Sequence, residues 1–591
     1  MACAIAVRHE EMLHDWRGGY MTSASRFLVV VCLVFVTMLF GQRYAIVVSD
    51  TTNGMPGWSE VVDSLVARHN GQVFIWQDSV QQVKDALSAY MPDHIAFVGR
   101  GAQEINVSFV ERIWGLTREL DADPYGDAIW GVITGYDDQD AMRIVQNQTL
   151  EVKTVLGGTN CTWDNWFYQG ISTFEAEYNR IRFKTPDSSL IIDTVCPPRC
   201  PDDRCTLLVN YLNDGLNDTI MGFDIQGPVD YFITSGHGNV NLWQLHYPTQ
   251  GFEGYFVSNN GQVYGSPYLG ANCNINSTNP KIYNAMGNCL IGNPGNIHYM
   301  PYAWLHTGGA IAMTGYMPST AYGYMLWGLG GLFQMLQDTH AYAEVFFINN
   351  QELIFDYINN TPGIDPSGLD YDRNACCYYG DPAADLRMFR WREPWWDQGL
   401  DVIPGGEYDT MTFWIEANYD SVDPGFSGTS GRRHPFAFLP HRYDSSAIID
   451  SNCLGAVITD NFVLMYCWRQ GDQRLANGER RYVTFVAHRM TGMEEYPGVD
   501  MPCLNRFSVM PSITRNAVRI DYELTRNAVI NIAVYDATGR SVGNIANGPF
   551  GSGIHSISWD LRAARLPDGV YLIRFRTGEE AYSAKVVLID R

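Results

Sequence analysis

Positive charge is scarce in this chain: Lys and Arg number 40 against 64 Asp and Glu, a formal net charge of −24. A surface of that sign repels phosphate backbones, which excludes nucleic-acid binding as the main task. Long apolar runs are scarce too. Phe27–Phe40 stands alone, and without a second such run a polytopic membrane protein is excluded. No repeat of collagen or coiled-coil period is found, and no His-Glu-x-x-His or comparable spacing points to a metal-dependent hydrolase. Charged residues make up only 18%, too few for a solvated disordered chain. What is present is material for a large core. The 591 residues are 46% hydrophobic, with 16 Trp, 34 Tyr and 27 Phe, a length that suits two to four domains.

The apolar run Phe27–Phe40 follows Arg26 and precedes Gly41-Gln42. It is shorter than the ~20 residues of a membrane span and fits the ~7–15 of a signal-peptide core. Residues 1–42 therefore read as an export signal, with Met21 as the expected start because Glu10, Glu11 and Asp15 suit no signal n-region. An uncleaved anchor is the alternative. The run has no terminal Cys, so a lipoprotein is not indicated. Thirteen Cys are present, of which Cys3 and Cys32 would leave with the signal. Export permits disulfides. Cys196, Cys200 and Cys205 cluster one ligand short of a four-cysteine metal set, so a disulfide-stapled loop is expected there. Adjacent Cys376 and Cys377 either pair elsewhere or pack in the core.

From Arg43 onward short β runs alternate with helical segments. Tyr44–Val48, Val73–Trp76, His94–Val98 and Ala128–Ile133 read as strands, and Trp58–His69, Val80–Tyr90 and Ser108–Leu120 as helices. Strands are also expected at Ser189–Asp193, Val229–Ser235, Pro280–Met286 and within Trp304–Thr314, and a helix at Ala341–Asn359. Such alternation predicts a parallel sheet flanked by helices. Beyond about residue 390 the helical patterns stop and alternating strands follow, including Thr410–Ala417, Phe462–Trp468 and Arg481–His488. The expected plan is an N-terminal α/β subdomain over 43–150, a second α/β subdomain carrying the chemistry over 151–390, a β-rich domain over 391–508 and a small C-terminal β-sandwich over 509–591.

Two strand ends carry the chemistry. Val229-Asp-Tyr-Phe-Ile-Thr-Ser-Gly-His-Gly238 delivers His237 into a glycine-flanked turn, and Lys281-Ile-Tyr-Asn-Ala-Met-Gly-Asn-Cys-Leu290 delivers Cys289 into another. Open α/β sheets present ligands at strand C-termini. A thiolate nucleophile beside an imidazole is the minimum kit for acyl transfer, the imidazole taking the thiol proton and returning it to the leaving amine. Taken singly, a His is more often structural and a Cys more often a core residue; the conjunction selects this pair. Cys273, His246, His298 and His306 are weaker candidates without the same glycine-flanked, strand-end setting. Asp137-Asp138 could bind calcium, but a solvated turn and helix N-cap is the favoured reading.

An apolar block ending in His-Gly, followed by one ending in Cys, resembles the clan CD cysteine peptidases, the group of caspases, legumains and gingipains. Gly308-Gly-Ala-Ile-Ala-Met-Thr-Gly-Tyr316 and Tyr379-Gly-Asp-Pro-Ala383 look most like the gingipain family, in which an immunoglobulin-like β domain follows the catalytic part. The resemblance implies a caspase/gingipain-like α/β fold. It implies His237 as general base and acid, Cys289 as nucleophile, and the N–H groups of Gly238 and Cys289 as an oxyanion hole. No cofactor is required, and a structural calcium ion is left open. Asn288, where the family has a small residue, and an insertion over Trp243–Asn279 depart from the family pattern.

Near the C-terminus, Ile530–Arg540, Gly553–Asp560, Leu566–Arg574 and Ala584–Arg591 look like type IX secretion sorting domains, which share an immunoglobulin-like fold with flagellar hook-capping modules. A plain adhesion-type sandwich is the alternative. The two resemblances together imply a secreted or surface-bound bacterial cysteine endopeptidase that acts on protein or peptide and engages an outer-membrane secretion machinery. The alternative is an inactive surface binding protein on a peptidase scaffold, which Trp391-Arg-Glu-Pro-Trp-Trp396 would suit if those aromatics were exposed. Packing between the α/β and β parts is the favoured role for them.

Overall fold

The computed structural model describes residues 43–589 except 159–162, 174–179, 187–191, 196–200, 221, 246–253, 426–431, 491–503, 511–512, 515–516, 525–527, 537–539, 551–552, 562, 565 and 578–579. The expected signal run Phe27–Phe40, Cys196, Cys200 and His246 lie outside the described residues. Among the described residues no helix is long and apolar enough to cross a membrane.

Among the described residues twelve strands form one sheet: Tyr44–Ser49 (β1), Gln72–Trp76 (β2), His94–Val98 (β3), Ile129–Ile133 (β4), Thr154–Gly157 (β5), Gln169–Thr173 (β6), Arg180–Lys184 (β7), Ile192–Val195 (β8), Tyr231–Thr234 (β9), Lys281–Ala285 (β10), Ala310–Tyr316 (β11) and Cys376–Tyr379 (β12). Their order across the sheet is β2-β1-β3-β4-β12-β11-β10-β9-β5-β6-β7-β8. Several are buried along their whole length, β1, β3 and β10 among them. That explains their near-continuous apolar sequence: a strand covered on both faces has no solvent side to alternate with.

The expectation of a parallel sheet needs correction. Strands β1 to β4 and β12 run parallel, and β11, β10, β9, β5 and β6 run parallel to one another. The two sets meet at the antiparallel pair β11–β12, and β7 and β8 add an antiparallel edge. The sheet is mixed because β12 returns late in the chain and slots between β4 and β11, so residues on either side of 150 share one sheet. Strand–helix alternation reports that crossovers exist, not which way each strand enters.

The helices that flank the sheet include Pro56–His69 (α1), Val107–Leu116 (α2), Asp138–Gln146 (α3), Met300–His306 (α5), Tyr324–Met335 (α6) and Tyr342–Asn359 (α7), while Pro201–Asp214 (α4) packs on a smaller sheet. Pro56 starts α1 where its missing N–H costs nothing, and the Asn106 side chain caps α2 by accepting from Phe109 N. The strand expected within Trp304–Thr314 begins at Ala310, and Pro301 in the first turn of α5 makes the residues up to His306 helical. The region Trp243–Asn279 contributes to a five-stranded antiparallel sheet of Gly238–Asn239, Leu242–Gln244, Tyr255–Asn259, Gln262–Ser266 and Cys273–Ile275.

Residues after 390 form a four-stranded sheet (Trp396–Ile403, Tyr408–Ala417, Arg480–Arg489, Tyr443–Ser451) and a three-stranded one (Phe436–Phe438, Phe462–Tyr466, Gly455–Ile458). They belong to the same compact unit as the large sheet, which extends to Met490. Arg433 ties the two together. It is 1% exposed, its guanidinium lies 3.5 Å from the Tyr324 ring centroid, and it donates to Asn349 Oδ1 and Tyr324 O of helices α7 and α6.

A second compact unit runs from Thr491. Its described strands make a three-stranded and a five-stranded sheet sharing one core, in which Ile530, Ile532 and Val534 face inward and Val529 outward. That is the period-two signature of a half-buried strand.

Candidate active site

Strands β9 and β10 are parallel neighbours in register, Thr234 beside Ala285, so both end at the same edge of the sheet. Three residues past one end stands His237, and four past the other stands Cys289. Gly236 takes φ 89°, a left-handed conformation suited to glycine, and turns the chain so that His237 is exposed at the sheet's edge. Gly238 then starts a two-residue edge strand opposite Trp243. The ladder bond there runs from Gln244 N to His237 O. Gly238 and Trp243 thus form a non-hydrogen-bonded pair, and the N–H of Gly238 points out of the hairpin.

The two turns touch. A Cβ on Gly238 would lie 2.7 Å from Cys289 O, 2.8 Å from Ile291 Cγ1 and 3.1 Å from Asn288 Cβ. Asn288, fully buried, staples them: Thr234 Oγ1 donates to its Oδ1 at 2.7 Å, and its Nδ2 donates to Gly236 O at 3.0 Å. Tyr283 OH, 2.9 Å from Thr234 Oγ1, extends the network; burial pushes its phenol well above the ordinary value, so the OH keeps its proton. Asn288 is thus the bridge that holds the two turns together. Its type gave no sequence signal, because one buried Asn looks like any polar turn residue until its partners are known.

The turn after Cys289 is clamped from β11. Leu290, at φ 63°, donates its N–H to Pro318 O, and Gly292 N donates to Tyr316 O. A left-handed branched aliphatic residue is uncommon and marks a turn held by its surroundings. Cys289 is half-buried and not in a disulfide; Cys273 is likewise unbridged, so no bond joins the two. Trp327 of α6 walls the same loop, its Nε1 2.7 Å from where a Cβ on Gly287 would sit.

The remaining sequence candidates among the described residues have other partners. His306 pairs with Asp140 at 3.0 Å, and Ser258 Oγ donates to the backbone O of His298. Asp137 caps α3, accepting from Gln139 N and Asp140 N. Asp137, Asp140 and His306 bring ligand atoms together as a cation site would, yet Asp140 already faces Arg143 at 3.8 Å as well as His306. Asp121, Asp123 and Asp460 form a second such group. Cys376 and Cys377 are fully buried core residues of β12. Trp391 donates to Trp166 O, Trp395 N donates to Met335 O, and Trp396 is 1% exposed, so this aromatic segment packs against the α/β part.

Residues 508–589 match the family model of the secretion system C-terminal sorting domain. The chain carries a type IX secretion sorting domain. Such a tail directs a protein out of the cell, to the surface or the medium, through the type IX machinery. No curated protein matches the chain in sequence. Among solved structures, a protease aligns over 92% of this chain and 97% of its own at 9% identity and TM-score 0.35. A Faecalibacterium prausnitzii beta-glucuronidase aligns over 30% and 37% at 10% identity and TM-score 0.11. A polysaccharide lyase aligns over 34% and 35% at 9% identity and TM-score 0.12. At these TM-scores none of the three bears on the chemistry of the site.

Proposed function

We propose that this exported protein is a cysteine endopeptidase with a caspase/gingipain-like catalytic fold, using His237 and Cys289. The observation that carries the reading is the contact between the His237–Gly238 and Cys289 turns at the common edge of two parallel strands, locked by Asn288. In the mechanism, His237 takes the Cys289 proton and the thiolate attacks the scissile carbonyl carbon. The oxyanion of the tetrahedral intermediate accepts from the N–H groups of Gly238 and Cys289. His237 then protonates the departing amine, and water, deprotonated by the same imidazole, hydrolyses the thioester.

The test compares wild type with Cys289→Ala and His237→Ala on a mixed fluorogenic peptide library under reducing conditions with calcium. Each variant is expected to lose at least about two orders of magnitude in rate, the scale of removing a nucleophile or its acid–base partner. Wild type that is folded yet silent on the library would replace this reading with an inactive surface-binding scaffold.

A further inference from the structure

Helix α4 lies against the small five-stranded sheet, and one of its side chains is Cys205, fully buried. Cys273 opens the sheet's last strand and pairs in register with Gly265. Glycine at 265 leaves room for both sulfurs: a Cβ there would sit 2.8 Å from Cys205 Sγ and 3.0 Å from Cys273 Sγ. Gly254 makes room in the same way, its Cβ position lying 3.1 Å from Cys205 Cβ. The two sulfurs crowd the one point that a Cβ on Gly265 would occupy, so they are neighbours. That contact, the largest influence on Cys273, lowers its thiol to about 7. One partner of the pair is thus available as thiolate near neutral pH.

The sorting domain sends this chain into an oxidising compartment. We propose that Cys205 and Cys273 form a disulfide in the exported protein, stapling helix α4 to the small sheet whose first strand begins at Gly238. The oxidant is a disulfide-bearing dithiol carrier. The Cys273 thiolate attacks one carrier sulfur, and the S–S bond of the carrier breaks to give a mixed disulfide. Cys205 sulfur then displaces the second carrier sulfur, forming the Cys205–Cys273 bond. The two cysteine protons end on the released carrier dithiol, so electrons and protons balance. To form the bond the neighbouring sulfurs close to the ~2 Å bond length. The sequence cluster Cys196–Cys200–Cys205 suggests a loop closed on itself; the neighbour Cys205 has in the fold comes from the inserted sheet instead.

This inference is independent of the peptidase reading, because it is tested by mass and stability rather than turnover. Full-length protein secreted under oxidising conditions is alkylated without reduction, digested and mapped. The expected result is a Cys205–Cys273 linked peptide, absent after dithiothreitol, with Cys289 alkylated. Cys273→Ser and Cys205→Ser should each lower Tm by about 5 °C relative to oxidised wild type, and reduction should lower wild type but leave the variants unchanged. A map linking Cys205 to Cys196 or Cys200, or finding Cys205 and Cys273 both alkylated, overturns the proposal. So does a reduced wild type with the same Tm as the oxidised one.

Discussion

Gly238 matters through the atom it does not have. Its φ is ordinary, so an alanine there costs no backbone strain, yet the added Cβ would stand 2.7 Å from Cys289 O and 2.8 Å from Ile291 Cγ1. Because the Cys289 turn is pinned from the other side by Leu290 N to Pro318 O and Gly292 N to Tyr316 O, it cannot simply retreat. Gly238→Ala is therefore expected to reduce kcat/KM on a cleaved library peptide by about 100-fold, the scale of a displacement near 1 Å in a catalytic pair. Circular dichroism should stay close to wild type, with Tm lowered by only a few degrees as the clash is absorbed. An active Gly238→Ala protein would show that this turn does not touch the reacting atoms. Asn288 works differently, through two hydrogen bonds that both link one turn to the other. The glycines and the His were readable as a close-approach motif; the staple was not, since its partners Thr234 and Gly236 lie more than fifty positions away in the chain.

At the scale of elements, Asp381 of Tyr379-Gly-Asp-Pro-Ala383 joins the start of the chain's fold to its return. Entirely buried, it accepts from Tyr44 OH of β1 (2.9 Å), His69 of α1 (2.9 Å), Gln148 Nε2 (2.8 Å) and Ala383 N (3.0 Å). Burial by itself would raise this carboxyl, but the hydrogen bond and charge of His69, with the other donors, outweigh it and hold it below the ordinary carboxylate value. The fold therefore prefers the charged form. Its contribution is complete above the ordinary value of ~3.9 and is lost as pH falls through the lower folded value. Asp381→Asn is expected to lose about 3 kcal/mol at neutral pH and to have a flatter acid limb than wild type. Urea denaturation between about pH 3 and pH 7 measures both; parallel profiles for the two proteins would remove Asp381 from the account. The motif was legible as a local Gly-Asp-Pro turn, while its use as a clasp between β1, α1 and β12 required the sheet order.

Helix α6 shows the opposite case, an element that pattern reading missed. Its sequence Tyr-Met-Leu-Trp-Gly-Leu-Gly-Gly-Leu-Phe-Gln-Met is buried on nearly every side, so it offers no polar stripe, and its three glycines weigh against a helix. Those glycines serve packing: Gly330 lies against Met286 and Asn284, and Gly331 against Trp163. Close approach here brings α6, and Trp327 on it, up to the base of the Cys289 loop.

Over the whole molecule, two compact units have separate cores, one extending to Met490 and one from Thr491. Their tasks separate in the same way, since the sorting family model matches within the second unit. Removing residues 491–591 is expected to leave the first unit folded, with a sharp unfolding transition and unchanged activity on the peptide library, while the protein no longer reaches the medium or surface. Fractionation of expressing cells and thermal unfolding of the purified product read out the two halves of this prediction. A truncated protein that is still secreted, or that fails to fold, contradicts it.

The amino-acid sequence by itself determined what depends on neighbours in the chain. The buried strands show as apolar runs, the β-rich tail as alternation, the sorting domain as a local pattern, and the His-Gly and Cys turns as glycine-rich strand ends. Tertiary structure alone decided what depends on partners far apart in the chain. It set the direction of β12 between two parallel halves, the Asn288 staple, the Asp381 clasp and the meeting of Cys205 with Cys273. The physical reason is that periodicity and turn chemistry are set by each residue's own backbone and its immediate neighbours. Hydrogen-bond partners and strand order are set by which distant surfaces can be buried together without leaving polar groups unpaired.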